Sequence, residues 1–310
     1  MKKIAFVFPG QGSQYVGMGK EVSENYSEAK AVFMEADRVL GRNLTELCFN
    51  GPKELLMDTR NAQPAILTAS IALLQALKAE GIRADYTAGH SLGEYSALVA
   101  SEVLDFSEAI SLVQKRAELM AGADPDHKGT MAAVLGMDRE TLAGCLAEAQ
   151  KTGPVEAANF NCPGQIVISG VKTAIAKARE LVAAKGGNSI PLSVSGPFHS
   201  SFMKSAADAF KIQLESISWK EPTIPVIANV SAKAYHSGEI IDNLYRQVYS
   251  SVLWEDSINY LRQQGVEIFV EIGPGRVLSG LIKKTLKDVT IVNCEDLASI
   301  KKALDILKEV

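Results

Sequence analysis

Cysteine is scarce in this chain. Cys48, Cys145, Cys162 and Cys294 are the only four in 310 residues, and none forms a C-x-x-C pair or a Cys/His cluster at metal-ligand spacing. That excludes a disulfide scaffold and a zinc module, and it fits free thiols in a reducing cytosol. Long apolar runs are also missing. Nothing approaches the ~20 residues of a membrane span, and the first apolar run, Ile4 to Phe8, is too short for the core of a secretion signal. No charge of one sign dominates: the net charge is −4, so the global balance gives a nucleic-acid partner no support. Phosphate-cradling G-x-G-x-x-G and Walker loops do not occur, and there is no internal repeat or low-complexity stretch. A soluble, cytoplasmic globular protein is expected. Its apolar content of 47% is enough to build one large domain, or a domain carrying an insertion.

The chain is organised around Tyr86-Thr87-Ala88-Gly89-His90-Ser91-Leu92-Gly93-Glu94, which has the form G-x-S-x-G. A β-prone run precedes it and a helical run, Glu94 to Ala100, follows. Strand, tight turn and helix is the setting of a nucleophile elbow, in which the serine stands proud of a sheet at a helix N-terminus. Free N–H groups and the helix dipole there favour an oxyanion. The same pattern also fits a plain serine N-cap between two glycines.

The flanking segments read as an α/β protein. Ile4 to Phe8 has the continuous apolar character of a strand buried on both faces, and it runs into the polar loop Pro9-Gly10-Gln11-Gly12-Ser13-Gln14. In open α/β sheets ligands are handled at strand C-termini, so this loop can turn a backbone N–H toward the serine's substrate. Helices are expected over 28–40, from Asn61-Ala62-Gln63-Pro64 to about Glu80 with the proline in the first turn, and over 106–120 capped by Asp105. Gly122 to Gly129 is a cluster of breakers. Beyond it the pattern is strand 130–135, helix 138–150, strands 155–159 and 165–169, helix 172–185 and strand 189–194. This β-α-β-β-α-β order is that of a small ferredoxin-like domain inserted into the larger one. The chain returns with a helix near Ser201, a β-prone run at 225–229 and helices 239–248 and 257–264. Strand 267–272 runs into Gly273-Pro274-Gly275, followed by helix 277–286, strand 289–292 and a closing helix from Asp296.

Two further residues stand out. Arg116 falls at the edge of the apolar face of its helix, three residues after Val113 and four before Met120. It is either a snorkelling or structurally paired arginine, or a guanidinium turned inward to meet an anion. Of the four histidines, His127 and His236 lie in polar turns, His90 is inside the elbow, and His199 follows the turn Ser195-Gly196-Pro197-Phe198. His199 is therefore the best candidate base, although backbone could equally satisfy a histidine at that corner.

Taken together these residues resemble the malonyl-CoA:acyl carrier protein transacylases, along the whole chain. The resemblance is carried by Phe8 to Gln14, Gln63-Pro64-Ala65, Gly89 to Glu94, Arg116, Asn159 to Gly170, Gly196 to His199 and Glu271 to Gly275. It implies an α/β-hydrolase-like large domain with a mostly parallel sheet (1–125 and 198–310), interrupted by the ferredoxin-like part (126–197). It also implies ping-pong transfer of malonyl from malonyl-CoA to the phosphopantetheine thiol of holo acyl carrier protein, in fatty acid or polyketide synthesis. Ser91 would be the nucleophile and His199 the acid–base, with the N–H groups of Gln11 and Leu92 as the oxyanion hole. Arg116 would hold the malonyl carboxylate, the Gln247 carbonyl would orient the histidine, and bulky Phe198 would disfavour α-branched acyl groups. No metal or other cofactor is implied, and a monomer is expected. One departure is visible: the family often has a proline before Val-x-Trp, where this chain has Ser250-Ser251.

Two other readings compete. A serine esterase or thioesterase on the same fold would need an acidic partner for His199, from Asp242, Glu255, Asp256 or Glu271. All four follow the histidine, whereas the usual hydrolase order is serine, acid, histidine. A catalytically idle acyl-binding protein would have no reason to keep Ser91, His199, Arg116 and Gln11 together.

Overall fold

The computed structural model describes residues 2–194, 196–236 and 238–308. Among the described residues nine strands run in chain order: β1 (Lys3–Phe8), β2 (Tyr86–Gly89), β3 (Gly129–Leu135), β4 (Val155–Cys162), β5 (Gln165–Val171), β6 (Asn188–Leu192), β7 (Val226–Ile227), β8 (Val266–Ile272) and β9 (Thr290–Cys294). Five of them form one sheet in the order β7-β2-β1-β8-β9, with every pairing parallel. Buried Ala5 to Phe8, Val266 and Ile268 to Ile272 explain why these strands read as apolar runs. The other four form an antiparallel sheet, β4-β5-β3-β6, with helices Arg139–Ala149 and Lys172–Ala184 packed on it. This is the ferredoxin-like arrangement anticipated from the β-α-β-β-α-β order.

The two sheets are joined where the site lies. Extended β4 runs past the small sheet and pairs with the segment after helix Ile240–Tyr249, through Phe160 N–H to Val252 O (2.9 Å) and Val252 N–H to Ala158 O (2.9 Å). At the rim Arg139 pairs with both Glu255 (3.0 Å) and Asp256 (2.9 Å), and its guanidinium lies over the Phe160 ring. The large sheet reverses its strand order on either side of β1, and the residues that follow β1 and β2, from Gly10 to Gln14 and from His90 to Leu92, line a cavity together with Met131, Ala133 and Val167 of the small sheet. That is the crevice in which such folds bind ligands.

Several local expectations are corrected. The helix carrying Pro64 begins at Thr59, not Asn61, with Asp58 as its cap, so the proline is in the second turn. The carbonyl its missing N–H leaves free, that of Arg60, accepts instead from Arg42 Nη2 at 3.4 Å. Asp105 precedes helix Phe106–Gly122 but does not cap it, because its carboxylate is taken by Lys220 (2.9 Å). The β-prone run at 225–229 yields only the two residues of β7. Helix 257–264 starts earlier, at Trp254, and the helix placed near Ser201 begins as one tight turn before Lys204–Glu215. Short helices Lys20–Asn25, Leu44–Asn50 and Lys53–Met57 had no counterpart in the sequence reading. Each is too short to display a helical period. Among the described residues no helix is long and apolar enough to cross a membrane.

Candidate active site

Ser91 sits on the turn between β2 and helix Gly93–Ala100, with φ of 52°. A non-glycine residue in the left-handed region is strained, and the surroundings impose the strain. A Cβ at Gly89 would stand 1.9 Å from the carbonyl carbon of Gly93, and one at Gly93 would stand 2.0 Å from the Phe8 carbonyl oxygen. Only glycine at both positions lets the turn close against β1. The Ser91 N–H is held by Asn229 Oδ1 at 2.7 Å, and the Asn229 amide donates back to Gly89 O at 2.6 Å. Asn229 follows β7, so a third strand end steadies the elbow.

His199, also left-handed with φ of 55°, brings its Nε2 to 2.7 Å from Ser91 Oγ. Its Nδ1 lies 2.9 Å from the Gln247 carbonyl, near the end of helix Ile240–Tyr249. A carbonyl only accepts, so the proton is on Nδ1, and Nε2 is free to accept the serine proton. Burial, reinforced by the nearby Arg116 charge, pushes the His199 pKa down to about 3. The ring is therefore neutral, and competent as a base, at neutral pH. Ser195, which starts the turn leading to His199, lies outside the described residues.

None of the four candidate acids reaches this histidine. Glu255 and Asp256 are engaged by Arg139, and Asp242 lies 3.5 Å from Arg246. Buried Glu271 caps helix Val277–Thr285, accepting from the N–H groups of Leu278 (2.9 Å) and Ser279 (2.7 Å). The ring is thus oriented by a carbonyl, and the acidic partner of an esterase triad is not built here.

Arg116 is not a snorkelling side chain. It is 1% exposed and points inward from helix Phe106–Gly122. Its Nη1 donates to Gln63 Oε1 (2.5 Å), and its Nη2 donates to Gln247 Oε1 (2.9 Å) and to Ser91 Oγ (3.1 Å). The guanidinium carbon lies 5.4 Å from the centre of the Tyr95 ring. Burial lowers its pKa, yet a guanidinium stays protonated in proteins, so a full positive charge sits beside the nucleophile.

Gln11, Leu92, Arg116, Phe198, His199 and Ser91 all line one cavity of about 320 Å³ between the two sheets. Among the described residues neither the Gln11 nor the Leu92 N–H meets a protein acceptor. Both remain free to receive a developing oxyanion. Thr59 donates to the Gln11 side chain at 2.5 Å and steadies that loop. Met131, Ala133, Val167 and Leu192 form the small sheet's apolar contribution to the lining, with Asn159, Asn161 and Gln165 as its polar one. His90, between Ser91 and Gly89, bonds Asn161 Oδ1 at 2.9 Å and so ties the elbow to β4.

Sequence reasoning singled out Ser91, His199, Arg116, Gln11, Leu92, Gln247 and Phe198, and the fold brings all of them to this cavity or its wall. It gave no role to Asn229 or to the side chain of Gln247, and none beyond motif membership to Gln63 and Glu94. The available signal was polarity in the wrong place. Gln63 carries a buried amide on a long, largely apolar helix, and Asn229 ends a β-prone run.

This chain is similar to proteins of known identity along its full length. The model of the acyl transferase domain family matches residues 5–306. A malonyl CoA-acyl carrier protein transacylase of Bacillus subtilis (strain 168) is 50% identical, over 100% of this chain and 98% of that protein. The crystal structure of a malonyl CoA-acyl carrier protein transacylase from Clostridium perfringens ATCC 13124 superposes with a TM-score of 0.97 at 44% identity, covering 99% of this chain and 98% of that one. A solved complex of a type II PKS acyl-carrier protein with its malonyl-transacylase gives a TM-score of 0.95 at 41% identity, covering 98% and 99%.

Proposed function

The chain belongs to the acyl transferase domain family, and from that premise we propose that it transfers malonyl from malonyl-CoA to the phosphopantetheine thiol of holo acyl carrier protein. One observation carries the reading: Ser91 Oγ lies 2.7 Å from a neutral imidazole and 3.1 Å from a buried guanidinium. The first contact makes a nucleophile. The second supplies a cation where a carboxylate on the acyl group would sit.

The reaction follows in two halves. Ser91 Oγ attacks the thioester carbonyl while its proton passes to His199 Nε2. The carbonyl oxygen becomes an oxyanion facing the N–H groups of Gln11 and Leu92, at the start of helix Gly93–Ala100. Collapse breaks the C–S bond, and the CoA thiolate leaves with the proton from His199. The carrier's thiol then gives its proton to His199 and attacks the malonyl-serine, and the serine oxygen recovers that proton as it departs. Through both halves the malonyl carboxylate pairs with Arg116, a two-pronged donor suited to it. Each proton transfer is served by His199, so this reading requires no metal or redox cofactor.

Phe198, 6% exposed beside His199, fills space that an α-methyl group would need, which supports malonyl over branched acyl groups. A monomer suffices, because one chain supplies every group of the site. The four cysteines are buried free thiols, which supports a cytoplasmic location. We assign the product to extender supply for fatty acid synthesis.

Labelled malonyl-CoA tests the reading. The protein should acquire one malonyl group on Ser91, lose it to added holo acyl carrier protein, and acquire none as the Ser91→Ala variant. Rapid release of free malonate without carrier product, or label that persists without Ser91, would refute it.

A further inference from the structure

Next to the reacting groups lies a carboxylate that no step of the reaction uses. Glu94 is fully buried, three residues beyond the nucleophile in the first turn of helix Gly93–Ala100. Its Oε1 accepts from the Tyr235 hydroxyl, and its Oε2 accepts from Gln247 Nε2 (2.7 Å) and from the Asn229 N–H (3.3 Å). Gln247 extends the chain of contacts. The same Nε2 donates to the Ser91 carbonyl at 2.8 Å, while Oε1 accepts from Arg116 Nη2 at 2.9 Å. Among the described residues no carboxylate touches Arg116; its two amide acceptors, Gln63 and Gln247, are neutral.

An amide has a donor end and an acceptor end of nearly the same shape, so neighbours decide which way it faces. Glu94 and the Ser91 carbonyl both call for a donor. Only when they receive it does the Gln247 oxygen face the guanidinium. We propose that Glu94 is a positioning residue for malonyl recognition, which fixes the Gln247 amide and through it aims Arg116 at the acyl carboxylate. A carboxylate in direct contact would form a two-pronged pair with the guanidinium and cover the face the substrate needs. Held one amide away, Glu94 leaves that face open. The inference rests on the malonyl-transfer reading.

The test compares Glu94→Ala, Glu94→Gln and Gln247→Leu with the parent protein. The readout is kcat/KM for Ser91 acylation by malonyl-CoA and by acetyl-CoA, which lacks the carboxylate. If the parent transfers no malonyl, the functional reading fails before the inference is reached. With an active parent, Glu94→Ala should lower the malonyl-to-acetyl ratio about tenfold or more, the scale of a hydrogen bond to a charged group. Glu94→Gln still offers Gln247 a carbonyl and should keep the ratio within about threefold. Gln247→Leu retains the backbone carbonyl that holds His199 and should lower the ratio as Glu94→Ala does. Equal losses on both substrates in Glu94→Ala or Gln247→Leu would show a merely structural role and overturn the proposal. Should Glu94→Ala fail to fold, Gln247→Leu decides: an unchanged ratio there overturns it equally.

Discussion

Replacing Arg116 with alanine separates recognition of the acyl group from the chemistry of transfer. In the proposed complex the malonyl carboxylate meets a guanidinium that is 1% exposed and anchored by Gln63 and Gln247. Removing one partner of a buried ion pair costs about 3–5 kcal/mol, because the other charge is left unpaired. Relaxation of the neighbouring side chains into the space left by arginine places the loss at the lower end. At about 1.4 kcal/mol per tenfold, kcat/KM for malonyl-CoA should fall about 100-fold. Acetyl-CoA brings no carboxylate and should lose far less, so the preference between them narrows or reverses. The same substitution has a second effect that runs through His199. Burial is the largest cause of that ring's lowered pKa and the Arg116 charge is the next. Without the charge the pKa must rise from about 3 toward its ordinary value of 6.5. The base works in its neutral form, so the acid limb of acylation by acetyl-CoA should move to higher pH. Single-turnover labelling of Ser91 by each thioester, across pH and read by mass spectrometry, measures both effects. An unchanged malonyl-to-acetyl ratio would refute the role assigned to Arg116, and an unmoved acid limb would refute the electrostatic link to His199.

Three more outcomes are expected. His199→Ala should slow Ser91 acylation about 10²–10⁴-fold, the range for a lost acid–base group, with rapid-quench labelling as the measure. Phe198→Ala should raise the rate with methylmalonyl-CoA relative to malonyl-CoA by about tenfold or more, since one methyl group in a tight site is worth about 1–3 kcal/mol. Competition between the two thioesters reads that change. Gly93→Ala would place a methyl 2.0 Å from the Phe8 carbonyl oxygen, and it should lower the melting temperature by about 6 °C or more, together with activity. A parent-like melt would show that the elbow tolerates more adjustment than its packing implies.

Much of the architecture is legible before any coordinates. The strands of the large sheet are buried on both faces and so read as apolar runs. The glycines of the elbow stand where β1 and the following helix leave no room for a side chain. Arg116 illustrates the limit. Helical spacing put it at the edge of an apolar face, and that position suits a surface arginine as well as a buried one. Pro64 shows another: its rule of placement favours the first turn, but a distant arginine supplied the missing hydrogen bond one turn later. Glu94, Gln63 and Asn229 were polar residues in apolar or motif surroundings, and no local rule says which partner each will find.

What the linear order settled is what depends on near neighbours: the alternation of elements, the inserted β-α-β-β-α-β unit, and a serine on a sharp turn at a helix start. The meeting of Ser91 with Arg116, 25 positions on, with His199, 108 positions on, and with Gln247, 156 positions on, belongs to the tertiary structure alone. So does the choice of a carbonyl, in place of a carboxylate, to hold the imidazole. Hydrogen bonds and charges act over a few ångströms. Which groups come that close is decided by how two sheets pack, and the same packing removes the water that would otherwise screen Arg116 from His199.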